Sequence, residues 1–268
     1  MPHPNPLTTD KIILFGDSLT EQSWNQEFAF NVSPALQHEY FRKLQIVTHG
    51  YGGYNSEHAR HILEPMLDAE TAGGSRIKLL VIFFGTNDAS EATNTRQHVP
   101  IQRYAENLRF LTTQALLRGI DVILVGPALT GKSVTDRSSE TNRAYSETVK
   151  QVAGGLNVPF VDLWTAFQTY NGSFPNSDHR QSGNENADAR TGDERTNKST
   201  ELLAPDGVHF AGEGYRIYYK LLIRAIRESF PPLRTENLPT VLPHIFDIDE
   251  TDFPASLWRP VVTGNNQR

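Results

Sequence analysis

Short runs of apolar residues alternate with longer amphipathic stretches over most of the chain. The runs cover residues 11–15, 44–48, 79–84 and 122–125, with a shorter one at residues 160–161. Runs of this length that stop near glycine or another turn residue are typical of buried β-strands. Between them, helical spacing or capping residues predict helices over residues 27–43, 56–67, 100–119, 139–153 and 215–230. The repeated order of strand and helix predicts an α/β fold, in which helices cover a five-stranded, mostly parallel sheet.

Three residues refine the predicted helix boundaries. Pro34 lies inside the first helical stretch and predicts a kink or a late helix start there. Ser56 is suited to cap the second helix at its amino end. Gly119 is suited to end the third helix at its carboxyl end.

The pattern changes in two later segments. Residues 171–200 contain one large apolar residue, Phe174, among many polar ones. This predicts a flexible surface insertion within a domain over residues 1–230. Residues 231–268 form a tail punctuated by prolines and carrying large apolar side chains. Because such side chains are costly to expose, the tail is expected to pack on the domain or on a second subunit of a homodimer.

Composition narrows the class of protein. The 268 residues include no cysteine, which excludes disulfides, thiolate zinc sites and a cysteine nucleophile. A net charge of −6 argues against a nucleic-acid-binding surface, which needs a basic stripe. No apolar run approaches the roughly 20 residues of a membrane span, and the first residues lack the basic and apolar regions of a signal peptide. The sequence therefore predicts a cytoplasmic protein.

Polar residues follow three of the predicted strands. Ser18 comes just after the first strand, Gly53 after the second and Asn87 after the third. Asp206 and His209 lie just before the last long helix. Because the carboxyl ends of parallel strands meet at one edge of the sheet, where ligands bind in open α/β folds, we expect these residues to share a crevice.

This set contains the groups that acyl transfer to water requires. Ser18 would attack an ester carbonyl, His209 would take up and return its proton, and Asp206 would orient the imidazole. The N–H groups of Ser18, Gly53 and the Asn87 side chain would form an oxyanion hole. The expected partner is thus a small-molecule ester.

Each motif also has a simpler interpretation. The glycines at 50–53 can form a flexible turn, and Asn87 with Asp88 can form an Asx-turn that caps the following helix. Asp206 can cap the last helix. The joint occurrence of all the motifs, in order and at strand ends, favours the catalytic interpretation.

The motifs resemble the four sequence blocks of the GDSL, or SGNH, hydrolase family. The blocks are residues 16–19, the loop at Gly53, residues 85–88 and residues 206–209. Residues 16–24 and the carboxyl tail are similar to the isoamyl acetate-hydrolysing esterase branch, in its fungal form. The resemblance implies a flavodoxin-like, three-layer α/β/α sandwich and ester hydrolysis without a metal or another cofactor. It assigns the family's residues to Ser18, Gly53, Asn87 and His209, with Asp206 completing the triad.

Two other functions stay open from the residues alone. Four residues in the motifs are also of types that bind hard metals: Asp17, Asn87, Asp206 and His209. A metal-dependent phosphoesterase, which a chelator would inactivate, is therefore one alternative. A non-catalytic binding module on a hydrolase shell is the other, and it would not react with a fluorophosphonate probe.

Three aromatic residues are candidates for the substrate pocket. Trp24 follows Ser18 closely and would either line the acyl side or pack structurally. Phe253 and Trp258, in the tail, would close the alcohol side or form a contact between subunits.

Overall fold

The computed structural model describes residues 7–170 and 201–258. The strands are β1 (Lys11–Gly16), β2 (Gln45–Gly50), β3 (Ile77–Phe83), β4 (Asp121–Val125) and β5 (Phe160–Val161). The helices are α1 (Ser18–Glu21), α2 (Val32–Glu39), α3 (Ser56–Thr71), α4 (Ile101–Leu117), α5 (Ser139–Leu156), α6 (Leu163–Gln168), α7 (Gly212–Ser229) and α8 (Phe253–Ser256). The predicted insertion at 171–200 lies outside the described residues.

The five strands form one sheet in the order β2-β1-β3-β4-β5, and every pairing is parallel. This is the flavodoxin-like strand order, so the predicted fold class is confirmed. The order reverses between β1 and β3, and folds of this type bind ligands outside the carboxyl ends of the strands at that point. The sheet therefore places the loops after β1 and β3 at the expected position of a site.

Apolar side chains of β1 point alternately to the two faces of the sheet, as strand geometry requires. Ile12 and Leu14 join a core with helices α2, α6 and α7, whereas Ile13 and Phe15 join a second core with α3, α4 and α5. Helices thus cover both faces, and the layers are α/β/α. Central strands that are buried on both faces explain the near-continuous apolar runs in the sequence.

The predicted helix over residues 27–43 is much shorter in the structure. The backbone of Ala29 has a φ of 62°, which breaks the helical path, and α2 begins only at Val32. Pro34 is then the third residue of the helix, where its missing N–H removes no intrahelical hydrogen bond. The late start that Pro34 predicted is confirmed, and the predicted carboxyl end at residue 43 is wrong because α2 ends at Glu39.

The amino-terminal cap of α3 also differs from the prediction. The Asn55 side chain, not that of Ser56, accepts the backbone N–H of His58 and caps the helix. Ser56 instead donates its hydroxyl and its N–H to Asp88. At the other end of the next helix, Gly119 has a φ of 71° just after α4, which confirms its predicted role in ending that helix.

The first part of the tail lies against the segment that follows α2. The Tyr40 hydroxyl donates to the carbonyl of Leu233 at 3.0 Å, and the N–H of Val241 donates to the carbonyl of Arg42 at 2.7 Å. Further along, Phe253 and Trp258 are each 53% exposed. Among the helices of residues 7–170 and 201–258, none combines the length and the apolar character that a bilayer crossing requires.

Candidate active site

Ser18 is held at the tip of a tight connection between β1 and α1. Asp17 caps the helix by accepting the N–H of Leu19 at 2.9 Å, so Ser18 becomes the first helical residue. The first N–H groups of a helix have no intrahelical acceptor. The hydroxyl and the N–H of Ser18 are therefore both presented at the carboxyl edge of the sheet.

The structure brings Ser18, His209 and Asp206 together, although 191 residues separate the first two in sequence. The Ser18 Oγ lies 2.8 Å from the His209 Nε2. The His209 Nδ1 lies 2.6 Å from the Asp206 Oδ2. The second oxygen of Asp206 accepts the backbone N–H groups of Val208 and His209 at 2.8 and 2.9 Å. A hydroxyl, an imidazole and a carboxylate are thus connected in one line of hydrogen bonds.

The carboxyl group of Asp206 has a lowered pKa. Partial burial works in the opposite direction, but hydrogen bonds from the His209 ring and from the amides of Val208 and His209 outweigh it. Hydrogen bonds to the charged form of a carboxyl group favour that form. Asp206 therefore stays ionised at neutral pH and accepts a hydrogen bond from the Nδ1 of His209, which leaves Nε2 to face the hydroxyl.

The turn that carries Asp206 and His209 is docked on the loop after β4. The N–H of Gly131 donates to the carbonyl of Gly207 at 2.7 Å. A Cβ on Gly131 would lie 2.9 Å from the Gly207 Cα, and Gly207 itself has a φ of +73°. Because both positions exclude a side chain, the two backbones can approach each other directly.

Gly53 and Asn87 lie in neighbouring loops after β2 and β3. Gly53 has a φ of +78°, a conformation that favours glycine. The Nδ2 of Asn87 donates to the carbonyl of Tyr54 at 2.8 Å, which links the two loops. The N–H of Gly52 donates to the Glu21 carboxylate at the end of α1, so the loop of Gly53 is also fixed against the helix of Ser18.

Two fully buried carboxyl groups lie beneath these loops, and the sequence motifs gave no sign of their burial. Burial raises the pKa of Asp17 to about 7, although the hydrogen bond from Leu19 opposes this rise and the nearby Asp88 adds to it. Burial also raises the pKa of Asp88 to about 7, against the hydrogen bonds from Ser56. The Oδ2 of Asp17 has no hydrogen-bond partner in the part of the chain that the structure describes.

Arg137 is a residue of the site that the sequence analysis missed. It lies in the loop between β4 and α5, and its side chain is only 7% exposed. It bonds to the carboxylate of Asp136, the carbonyl of Thr86 and the side-chain oxygens of Asn87 and Gln97. An arginine in a polar loop has no pattern in the sequence that indicates burial, because its partners come from other loops.

A shallow cleft of about 650 Å³ opens beside Gly53. It is lined by Gly52, Gly53, Tyr54, His58, Asn94, Thr95, Arg96 and Gln97. The three predicted pocket residues, Trp24, Phe253 and Trp258, do not line it. The Trp24 indole N–H instead donates to the Thr48 hydroxyl at 2.8 Å. The assignment of Trp24, Phe253 and Trp258 to the substrate pocket stays a prediction.

The candidate metal ligands Asp206 and His209 have other partners in the part of the chain that the structure describes. Within residues 7–170 and 201–258, no three side chains of His, Asp or Glu are grouped so that they could hold a metal ion together. The Asp206 and His209 side chains are bonded to each other, and His209 is bonded to Ser18.

The chain is similar in sequence to a family of lipases and acylhydrolases and to two named esterase relatives. Residues 14–217 match the GDSL-like lipase/acylhydrolase family. The isoamyl acetate-hydrolyzing esterase of Saccharomyces cerevisiae is 30% identical over 253 residues, which cover 85% of this chain and 91% of that protein. The isoamyl acetate-hydrolyzing esterase 1 homolog of Rattus norvegicus is 32% identical over 264 residues, which cover 92% of this chain and 91% of that protein.

Two solved structures are similar in fold. A lipase/acylhydrolase from Enterococcus faecalis superimposes with a TM-score of 0.58 at 21% identity, covering 82% of this chain and 96% of the other. An acetyl xylan esterase superimposes with a TM-score of 0.59 at 18% identity, covering 81% of this chain and 99% of the other. From the extent of the family match and the identity to the curated relatives, the chain is a carboxylic ester hydrolase that belongs to the GDSL-like lipase/acylhydrolase family.

Proposed function

We propose that the protein is a serine esterase that hydrolyses small to medium carboxylic esters through an acyl-enzyme. The single observation that carries this proposal is the line of two hydrogen bonds, of 2.8 and 2.6 Å, that joins Ser18, His209 and Asp206. A nucleophile within hydrogen-bond reach of a base, which a third group orients, is the arrangement that activates a hydroxyl.

In the first half of the reaction, the Oγ of Ser18 attacks the ester carbonyl carbon while the Nε2 of His209 takes up its proton. The tetrahedral intermediate then collapses, and the same proton goes from His209 to the leaving alcohol. In the second half, His209 removes a proton from water and the hydroxide oxygen attacks the acyl carbon. The bond between that carbon and the Oγ of Ser18 then breaks, the carboxylic acid leaves, and the proton returns from His209 to the Oγ. The cycle thus restores the free hydroxyl of Ser18 and the neutral imidazole of His209.

Asp206 and the oxyanion donors supply the electrostatics of this proposal. The ionised Asp206 stabilises the imidazolium that forms on His209. The N–H groups of Ser18 and Gly53 and the Nδ2 of Asn87 are proposed to donate to the oxygen on which negative charge develops. Removal of one such donor costs about 10² to 10³ in turnover in a well-studied serine hydrolase.

The proposed substrates are esters of acetate or another short acyl chain. The yeast relative is named an isoamyl acetate-hydrolyzing esterase and the rat relative a homolog of such an esterase, which supports a short acyl group. A homodimer through the tail and a cytoplasmic location are also predictions from the sequence.

Hydrolysis of p-nitrophenyl acetate by purified wild type and Ser18→Ala tests the nucleophile. We expect the substitution to lower turnover by about 10⁶, since removal of the nucleophile from a triad that acts as a unit costs this much. Ser75→Ala is the matched control, because Ser75 precedes β3 at the opposite edge of the sheet. Turnover by Ser18→Ala within tenfold of wild type would refute the assignment.

The same assay separates the remaining alternatives. Activity that persists in EDTA, together with labelling by a fluorophosphonate probe at Ser18, supports the proposal over a metal-dependent phosphoesterase. A series of p-nitrophenyl esters of increasing acyl length, run beside isoamyl acetate and acetylated sugars, defines the substrate class.

A further inference from the structure

Arg137 donates hydrogen bonds to three acceptors in the loops after β3. Its Nη1 lies 3.0 Å from the carbonyl oxygen of Thr86 and 3.4 Å from the Oδ1 of Asn87. Its Nη2 lies 3.2 Å from the Oε1 of Gln97. Its ion-pair partner Asp136 is about half exposed (47%), whereas the Arg137 side chain is only 7% exposed. A buried charge needs further hydrogen bonds to its remaining donors, and the three interior acceptors supply them. Two of these acceptors belong to side-chain amides whose orientation matters for the site.

The first of these amides is that of Asn87. As an oxyanion donor, Asn87 must present its Nδ2 and turn its Oδ1 away. Arginine has only donors, so Arg137 can bond to the Oδ1 and would repel the NH₂ group. On the other side, the carbonyl of Tyr54 accepts from the Nδ2 at 2.8 Å. Both neighbours impose the same orientation, and one hydrogen of the Nδ2 remains for a substrate.

The same argument applies to Gln97, which contacts Gly53. The Oε1 of Gln97 accepts from Arg137 and from the Nδ2 of Asn94. Its Nε2 is thereby turned to the carbonyl oxygen of Gly53, at 3.5 Å. The Arg137 guanidinium thus orients two side-chain amides. The amide of Asn87 is a proposed oxyanion donor, and the amide of Gln97 contacts the second proposed donor, Gly53.

The charge of Arg137 also reaches the nucleophile loop. It is one of the groups that act on the pKa of Asp17, which precedes Ser18, and it acts to lower that pKa. A cation in a site of low dielectric stabilises nearby negative charge more strongly than it would in water. A hydrogen bond from a charged donor also polarises the amide that accepts it. Both effects favour negative charge on the substrate oxygen.

We propose that Arg137 is a positioning residue of the oxyanion hole, which holds Asn87 directly and Gly53 through Gln97. It acts on the transition state, in which the oxygen carries its negative charge, and not on the neutral ester. This inference rests on the proposed function, because it assumes that Asn87 and Gly53 stabilise an oxyanion.

The test is Arg137→Met, which keeps the length of the side chain but removes its charge and its donors. We expect kcat and kcat/KM for p-nitrophenyl acetate to fall together by about 10- to 100-fold, with KM within twofold of wild type. This is the signature of an interaction made only in the transition state. The loss is smaller than for removal of a whole donor. Arg143→Met is the matched control, since Arg143 is exposed on α5 and pairs with Glu140.

A double-mutant cycle with Asn87→Ala separates positioning from a general structural effect. If Arg137 acts partly through Asn87, Arg137→Met should cost at least threefold less in the Asn87→Ala background than in wild type, and the remaining cost is the part that acts through Gln97 and through charge. Kinetic losses that simply multiply, or a kcat of Arg137→Met within twofold of wild type, would overturn the inference.

Thermal unfolding of each variant shows whether it is folded. If Arg137→Met does not fold, Arg137→Lys is used to test the inference instead, since lysine keeps the charge without the planar guanidinium. We expect its kcat to be threefold or more below wild type with KM unchanged, and full activity would refute the positioning role. Ser18→Ala is measured in parallel: a fully active Ser18→Ala overturns the proposed function itself, whereas an inactive one together with an unaffected Arg137→Met overturns only this inference.

Discussion

The buried carboxyl group of Asp17 makes the stability of the protein depend on pH in a direction opposite to that of ordinary surface carboxylates. Its pKa is about 7 in the folded protein, against about 3.9 in an unfolded chain. Between these two values the group is protonated when folded and ionised when unfolded, so unfolding releases a proton. The contribution of Asp17 to the free energy of unfolding therefore falls as pH rises from about 4 to 7, and this contribution is constant above that range.

The size of this effect follows from the two pKa values. The full difference corresponds to about 4 kcal/mol, of which about 2.5 kcal/mol is lost between pH 5 and pH 7.5. Asp17→Asn removes the ionisation. The asparagine Oδ1 can still accept the N–H of Leu19, and its Nδ2 replaces an oxygen that has no partner among the described residues. The substitution should therefore keep the cap of α1 and abolish this part of the pH dependence.

The assay is urea denaturation of wild type and Asp17→Asn at pH 5.0 and 7.5, at equal ionic strength. We expect the stability of wild type to fall between these pH values by about 2.5 kcal/mol more than that of the variant. Asp247→Asn, which changes an exposed carboxylate of the tail, is the control and should resemble wild type. Equal pH dependence in wild type and Asp17→Asn would refute the reasoning.

Two further predictions concern residues of the proposed mechanism. Asp206→Asn should lower kcat by about 10⁴, because asparagine no longer fixes the imidazole tautomer; a fall of less than tenfold in p-nitrophenyl acetate hydrolysis would contradict this role. Gly53→Ala should cost about 1 kcal/mol or more in urea denaturation, because alanine at a φ of +78° is strained. It should also lower kcat, because the backbone N–H of residue 53 moves. A Cβ there would meet only the Nε2 of Gln97, at an ordinary contact distance of 3.5 Å. An unchanged stability would therefore refute backbone strain as the cause.

The sheet and the nucleophile loop are the features that the sequence predicts best. Strands buried on both faces require continuous apolar runs, so the run at residues 79–84 identifies β3 directly. Residues at the ends of parallel strands must share one edge, which is why the sequence alone groups Ser18 with Asn87. Helix boundaries are less predictable. The start of α2 depends on Ala29, whose positive φ has no signal in the sequence.

Side chains that act across loops are not predictable in this way. Ser56 is suited to cap α3, but Asp88 accepts its hydroxyl, and Asn55 caps the helix instead. Arg137 was missed for the same reason, since its partners in the loops after β3 lie 40 to 51 residues away in the sequence. Local patterns indicate what a residue does within its own element, whereas these contacts depend on how the loops meet.

The direct approach of the backbones at Gly131 and Gly207 has a consequence for how this enzyme can vary. The turn with Asp206 and His209 takes its position from the loop after β4, and its own closure adds a hydrogen bond from the N–H of Ala204 to the carbonyl of His209 at 2.7 Å. One anchor lies in the loop after β4 and the other lies within residues 204–209, so neither anchor involves residues 171–200. Segments of different length could therefore be accommodated there during evolution or engineering, while the imidazole stays in register with the serine.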